Sequence, residues 1–262
     1  MQTPLLQVKH ISKTYKLNKG WFKRESVEAV KGVSFELNRA HTVAVVGEAG
    51  SGKSTLAHLL AGELELTSGE ILLHGQNLAT TERQQRCMDI RLIPQKPSQS
   101  LNPRQRVGDQ VIAPLTMYRT LSQELRQQKL ISTLRDVGLL TEHAEYYPNM
   151  LSSSQRLRVA LARALIVDPE VLVFDQTLSA MDVTMRAQLV NLLSSLQQSR
   201  GMAYIIIGHQ LSMIRHLASE VLVMQHGEVI ERTTVATLFS EPQTDYTQRL
   251  MHAYKELTQG SS

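Results

Sequence analysis

The stretch TVAVVGEAGSGKSTLAHLLA, residues 42–61, decides the fold. Val43–Val46 is a short, continuous apolar run, the mark of a strand buried on both faces. Gly47-Glu48-Ala49-Gly50-Ser51-Gly52-Lys53-Ser54 then fits G-x-x-x-x-G-K-[ST], and Ser54–Ala61 continues with helical periodicity. The order strand, Gly-rich loop, helix is what this motif needs to bind phosphate. Glycines let backbone N–H groups curl around phosphate oxygens without a Cβ in the way. Lys53 reaches β/γ-phosphates, the Ser54 hydroxyl can hold Mg²⁺, and the helix adds the partial positive charge of its N-terminus.

A second element supports this reading. Val171-Leu172-Val173-Phe174-Asp175 is an apolar strand ending in a carboxylate, which places Asp175 beside the phosphate loop to help hold Mg²⁺. Tyr204–Ile207 is a third buried strand. Strands of this kind, alternating with helices, give an α/β fold with a parallel sheet. Leu5–His10, Glu28–Leu37 and Glu70–Leu73 alternate apolar and polar residues instead, which suggests an antiparallel sheet beside the core. Ser122–Val137 is polar and helical, and Gln155–Val167 is amphipathic, so the middle of the chain reads as a helical insertion. The chain accordingly divides into residues 1–95, the amino-terminal core with the antiparallel sheet and phosphate loop, and 96–165, the helical insertion. The rest of the core covers 166–235, with a short extension over 236–262.

Composition bounds the alternatives. The 262 residues are 42% apolar and 20% charged, which is globular rather than disordered. A single cysteine, Cys87, excludes an intrachain disulfide and a four-cysteine metal cluster. No run approaches the roughly 18 apolar residues that span a bilayer. MQTPLLQVKHISKTY lacks the order of a secretory signal, so work at a membrane is expected from its cytoplasmic side. Aromatic residues make up 5%, which leaves little for base-stacking platforms, and no nucleic-acid partner is expected.

Taken in order, the motifs resemble the nucleotide-binding subunits of ABC transporters over essentially the whole chain. They are Tyr15 in ISKTYKL, the phosphate loop, Gln95 in RLIPQKP, Leu151-Ser152-Ser153-Ser154-Gln155, Asp175, Ser179-Ala180-Met181-Asp182, and His209 in IIIGHQL. SQSLNPR (98–104) and EPQTDYT (241–247) are similar to the peptide-importer branch, although Thr244-Asp245 departs from its usual tail. The resemblance implies a RecA-like phosphate-loop NTPase core with an antiparallel β subdomain and an inserted α-helical subdomain. It implies ATP and Mg²⁺ as cofactors, with Thr55 joining the loop residues around the nucleotide. Tyr15 would stack on adenine, while Gln95 would sense Mg²⁺ and the attacking water, and His209 would contact the γ-phosphate. Ser152, Ser153, Ser154, Gln155 and Asp182 would serve a nucleotide shared with a second ATPase subunit. The resemblance further implies two permease subunits, a periplasmic binding protein met indirectly, and a peripheral place on the bacterial inner membrane, with peptides or polyamines as cargo.

Two departures stand out. The residue after Asp175 is usually Glu, which activates water; here it is Gln176, with Thr177 next where Ala is usual. An amide can orient water but cannot accept its proton, and loss of a general base costs about 10²–10⁴ in rate. The usual Leu-Ser-Gly-Gly-Gln signature reads Leu-Ser-Ser-Ser-Gln. Gln176 thus opens a second reading, a hydrolysis-poor regulatory subunit beside an active ATPase. A third, an ABC protein acting on DNA or ribosomes, lacks the coiled coil, zinc cysteines or tandem ATPase such proteins carry.

Overall fold

The structure, a computed structural model, describes residues 3–19, 23–118, 121–177, 183–208 and 211–259. Among these the strands are β1 (Leu6–Lys19), β2 (Lys23–Leu37), β3 (Thr42–Val46), β4 (Ser68–Leu73), β5 (Gln76–Asn77), β6 (Ile90–Ile93), β7 (Val171–Asp175), β8 (Ala203–Ile207), β9 (Glu220–Gln225) and β10 (Glu228–Thr234). The helices are α1 (Lys53–Leu60), α2 (Arg83–Asp89), α3 (Val107–Tyr118), α4 (Gln123–Asp136), α5 (Ser153–Leu165), α6 (Val183–Arg200), α7 (Leu211–Leu217), α8 (Val235–Ser240) and α9 (Asp245–Gln259). No helix among the described residues is long and apolar enough to cross a membrane.

The central sheet has the order β10-β9-β3-β8-β7-β6. Its pairs are parallel except the β9–β10 hairpin. The strands read from apolar runs, β3, β7 and β8, are the three adjacent central ones, and every residue in them is buried. That burial on both faces is why their sequences do not alternate. The alternating segments form the second sheet, β2-β1-β4-β5, antiparallel throughout.

The pleat of the central strands divides the core in two. Val43, Val45, Val173 and Ile205 join Leu56, Leu59 and Leu60 of α1 and Leu6, Val8 and Phe35 of the antiparallel sheet. Ala44, Leu172, Phe174 and Tyr204 face the other way. There they share one apolar cluster with Val107 and Val111 of α3, Leu134 of α4, Leu161 of α5 and Leu193 of α6. The helical insertion therefore shares its core with the central sheet. Burying each such Leu or Val stabilises the junction by roughly 1.5–3 kcal/mol.

Two helix starts are written in serine. Ser122 accepts the Leu125 N–H at 3.3 Å, and α4 begins one residue later. Ser152 accepts the Gln155 N–H at 3.2 Å while Gln155 Oε1 takes the Ser152 N–H at 2.9 Å, a reciprocal capping box. Helix α5 consequently runs Ser153–Leu165, starting and stopping two residues earlier than the expected Gln155–Val167. Asp168 just beyond it is left-handed, with φ 55°.

Candidate functional site

β3 runs directly into the phosphate loop, and the carboxyl end of β7 meets it through Asp175 and Gln176. β3 delivers Gly47 in a left-handed conformation, φ 149°, where a Cβ would lie 2.1 Å from the Met224 carbonyl oxygen. Gly52, φ 100°, directly precedes α1, and a Cβ there would lie 2.0 Å from the Ala29 carbonyl oxygen. Backbone from two other strands thus presses on the loop, so only glycine fits at these positions. The β9–β10 turn adds a direct clamp: the Gly227 N–H donates to the Ser51 carbonyl at 3.0 Å.

Lys53 is buried, at 4% exposure, and its Nζ donates to the Glu48 carbonyl at 2.5 Å and to Ser51 Oγ at 2.9 Å. Burial pulls its pKa below the ordinary lysine value, partly countered by the charges of Asp175 and Glu48. The ammonium is therefore folded back on its own loop, held ready for an anion.

Next to it, Ser54 Oγ donates to Asp175 Oδ1 at 3.1 Å. A hydroxyl and a carboxylate oxygen side by side form the donor set a small hard cation prefers. Gln176 Nε2 donates to the same Ser54 oxygen at 3.2 Å. The Gln176 backbone is left-handed, φ 49°, and its N–H is held by the Ile207 carbonyl at 2.8 Å. Sequence reasoning that grouped Lys53, Ser54, Asp175 and Gln176 is met by one contiguous cluster.

Gln95 lies exposed two residues beyond β6. The Thr177 hydroxyl, buried beside it, lies 2.8 Å from the Ile93 carbonyl and 3.0 Å from that of Pro94. This threonine, read from the sequence only as a departure, ties the segment carrying Gln95 to the end of β7.

Tyr15 sits on β1 opposite Val27, half-buried, with Lys13 Nζ 5.5 Å from its ring centre. A cleft of about 600 Å³ opens beside Gly50 and is lined by Thr14, Ser26, Val27, Glu28, His226 and Gly227 among others. Thr14 lines this cleft, as does Val27, the strand partner of Tyr15.

The stretch Ser152 to Gln155 forms the start of α5, with Ser152 and Ser153 exposed and Ser154 and Gln155 half-buried. Its contacts run within the helical insertion: Arg156 donates to Ser153 Oγ at 3.1 Å, and Gln155 Nε2 lies 3.3 Å from His143 Nε2. Asp182, with Ser179, Ala180 and Met181, and also His209, lie outside the described residues.

One connection had no sequence signal. The Glu48 N–H of the phosphate loop donates to the Tyr246 hydroxyl on α9 at 2.8 Å. Tyr246 stands in a tail segment whose only sequence signal is resemblance to a branch of the family.

The comparisons with known proteins fit this geometry. A family model described as ABC transporter matches residues 30–179. The putrescine export system ATP-binding protein SapF of Escherichia coli K12 is 45% identical over 94% of this chain and 92% of its own length. The dipeptide transport ATP-binding protein DppF of the same organism is 44% identical over 98% of this chain and 78% of its own. Among solved structures, a dimeric ATP-binding cassette in a post-hydrolysis state, bound to ADP and Pi, aligns with a TM-score of 0.74 at 25% identity. That alignment covers 88% of this chain and 98% of the other.

Proposed function

The chain belongs to the ABC transporter family, as a nucleotide-binding ATPase subunit, and from that premise we propose that it powers transport of peptides or polyamines. The cargo class rests on the names of SapF and DppF. The observation that carries the mechanism is the cluster in which Ser54 Oγ meets Asp175 Oδ1 at 3.1 Å beside the buried Lys53 ammonium.

In this reading the phosphate loop, Gly47 to Thr55, and the Lys53 ammonium bind the phosphates of ATP, the Glu48 N–H being held by Tyr246 rather than by phosphate. Ser54 and Asp175, with Gln95, supply oxygen donors for Mg²⁺, which when bound offsets phosphate charge. Gln176 orients the attacking water through its amide without taking up its proton. Roles for Tyr15, His209 and Asp182 rest on motif resemblance alone. The family and its relatives favour this motor role over a purely regulatory subunit.

Pairing follows from how a shared site divides its parts. Ser152 to Gln155 would face the partner's nucleotide, presenting helix N–H groups and the positive end of α5. In a homodimer both sites would combine Gln176 with the serine-substituted signature. With a distinct ATPase subunit the two departures fall in different sites, so we infer a heterodimer. Two permeases would dock near Gln95 and the helical insertion, 96–165, with a periplasmic binding protein upstream, which places the chain peripherally on the cytoplasmic face of the inner membrane. The test uses the assembled transporter: Lys53→Ala is expected to abolish Mg-ATP binding by this chain and to stop uptake of a labelled dipeptide or putrescine. Undiminished nucleotide binding in that variant overturns the reading.

A further inference from the structure

The bond from Glu48 to Tyr246 spans 198 residues of chain and joins the first turn of the phosphate loop to the second residue of α9. Tyr246 is 6% exposed and part of the main apolar cluster. Its hydroxyl is therefore held in place by a packed ring, and it meets a backbone donor next to Gly47, the position most tightly confined by Met224.

What fixes Tyr246 is equally specific. Glu231 on β10 is 7% exposed and accepts the N–H groups of Gln243 at 3.1 Å and Thr244 at 3.0 Å. Thr244 Oγ1 caps the start of α9, taking the Thr247 N–H at 3.1 Å. Further along, Tyr254 packs edge-on against Phe239 of α8. Helix α9 thus enters at a set angle from a buried carboxylate on β10. The β9–β10 hairpin consequently reaches the phosphate loop directly, through Met224 at Gly47 and Gly227 at Ser51, and indirectly, through Glu231, α9 and Tyr246 at Glu48.

We propose that Tyr246 is a positioning residue for nucleotide binding, holding the Glu48 N–H so that α9 and the phosphate loop share one conformational equilibrium. A loop ordered in advance loses less conformational entropy when it closes on a ligand. Coupling of this kind is reciprocal: if α9 steadies the loop, bound nucleotide steadies α9 by the same factor. The inference rests on the assignment of the phosphate loop to ATP.

The experiment compares the purified full chain with its Tyr246→Phe variant, which keeps the ring in the core and removes only the hydroxyl. Mg-ATP affinity is read with a fluorescent ATP analogue, and α9 amides by hydrogen exchange with and without Mg-ATP. The expected result is an affinity about 3–10-fold weaker, the range of one lost hydrogen bond. ATP-dependent protection of α9, present in the parent, is expected to vanish in the variant. A role confined to core stability would leave both the affinity and the protection unchanged. An affinity within about twofold of the parent, or α9 amides that ATP still protects, overturns the inference. Lys53→Ala run alongside separates the two assignments. If it abolishes binding while Tyr246→Phe does nothing, only the role of Tyr246 falls; if it binds normally, the phosphate-loop assignment falls.

Discussion

The Thr177 hydroxyl lies 2.8 Å from the Ile93 carbonyl, a contact made across 84 residues and with both groups buried. It also lies within 3.0 Å of the Pro94 carbonyl and 3.4 Å of its neighbour Asp175's. One hydroxyl proton is shared among three carbonyl oxygens, which attaches the segment leading to Gln95 to the end of β7. Thr177→Ala removes the shared donor, leaving a buried carbonyl short of a partner, at a cost of about 1 kcal/mol. For a chain of this size that is a fall in Tm of roughly 2–4 °C, measurable by scanning calorimetry. An unchanged Tm would show that the carbonyls find another donor.

Gln176→Glu changes one heavy atom, the amide nitrogen, but two interactions. The amide that donates to Ser54 Oγ at 3.2 Å is lost, and a carboxylate able to take a proton appears next to it. Hydrolysis at this chain's own site is expected to rise by up to about 10²–10⁴ if proton acceptance limits the step. The assay needs the assembled pair with the partner's phosphate-loop lysine removed, so that one site turns over. No gain in kcat would mean that another group activates the water.

Gly52→Ala is expected to be severe. At φ 100° a side chain is strained, and its Cβ would lie 2.0 Å from the Ala29 carbonyl oxygen, a backbone atom that cannot step aside. Strain and clash together are expected to cost about 2–4 kcal/mol, seen as a lower denaturation midpoint with an unchanged slope. Phosphate binding falls with it, because the loop must open to admit the methyl. A variant as stable as the parent would contradict the close approach of β2 to the loop.

Much of this was legible in the chain because it is local. The uninterrupted apolar run of β3, β7 and β8 announces a strand buried on both faces, and the eight-residue motif after β3 announces a phosphate loop opening a helix. Alternation in Leu5–His10 and Glu28–Leu37 likewise announces the antiparallel sheet. Helix α6 carries no such signal, because its segment mixes apolar and polar residues whose faces are settled by neighbours far along the chain, whereas Val221–Met224 of β9 is a buried apolar run of the same kind as β3. Tyr246 was invisible for a different reason: its partner is a backbone N–H, which carries no residue identity.

Glu231 makes the fold's dependence on acid testable. Burial raises its pKa, but hydrogen bonds from the Thr247 hydroxyl, the Gln243 and Thr244 N–H groups and the Thr244 hydroxyl outweigh this and leave it below the ordinary value of 4.5. A carboxylate depressed on folding adds stability that is fully present above its unfolded pKa. That contribution is lost as pH falls through the folded pKa. Glu231→Gln removes the charged acceptor while keeping the shape, so its penalty of about 1–3 kcal/mol belongs to neutral pH. Denaturant midpoints of parent and variant, tracked from pH 7 downward, are therefore expected to stand apart above roughly pH 4.5 and to converge below it. A gap of constant size down to acid pH would show that Glu231 acts through packing alone and that α9 is anchored by something other than its charge.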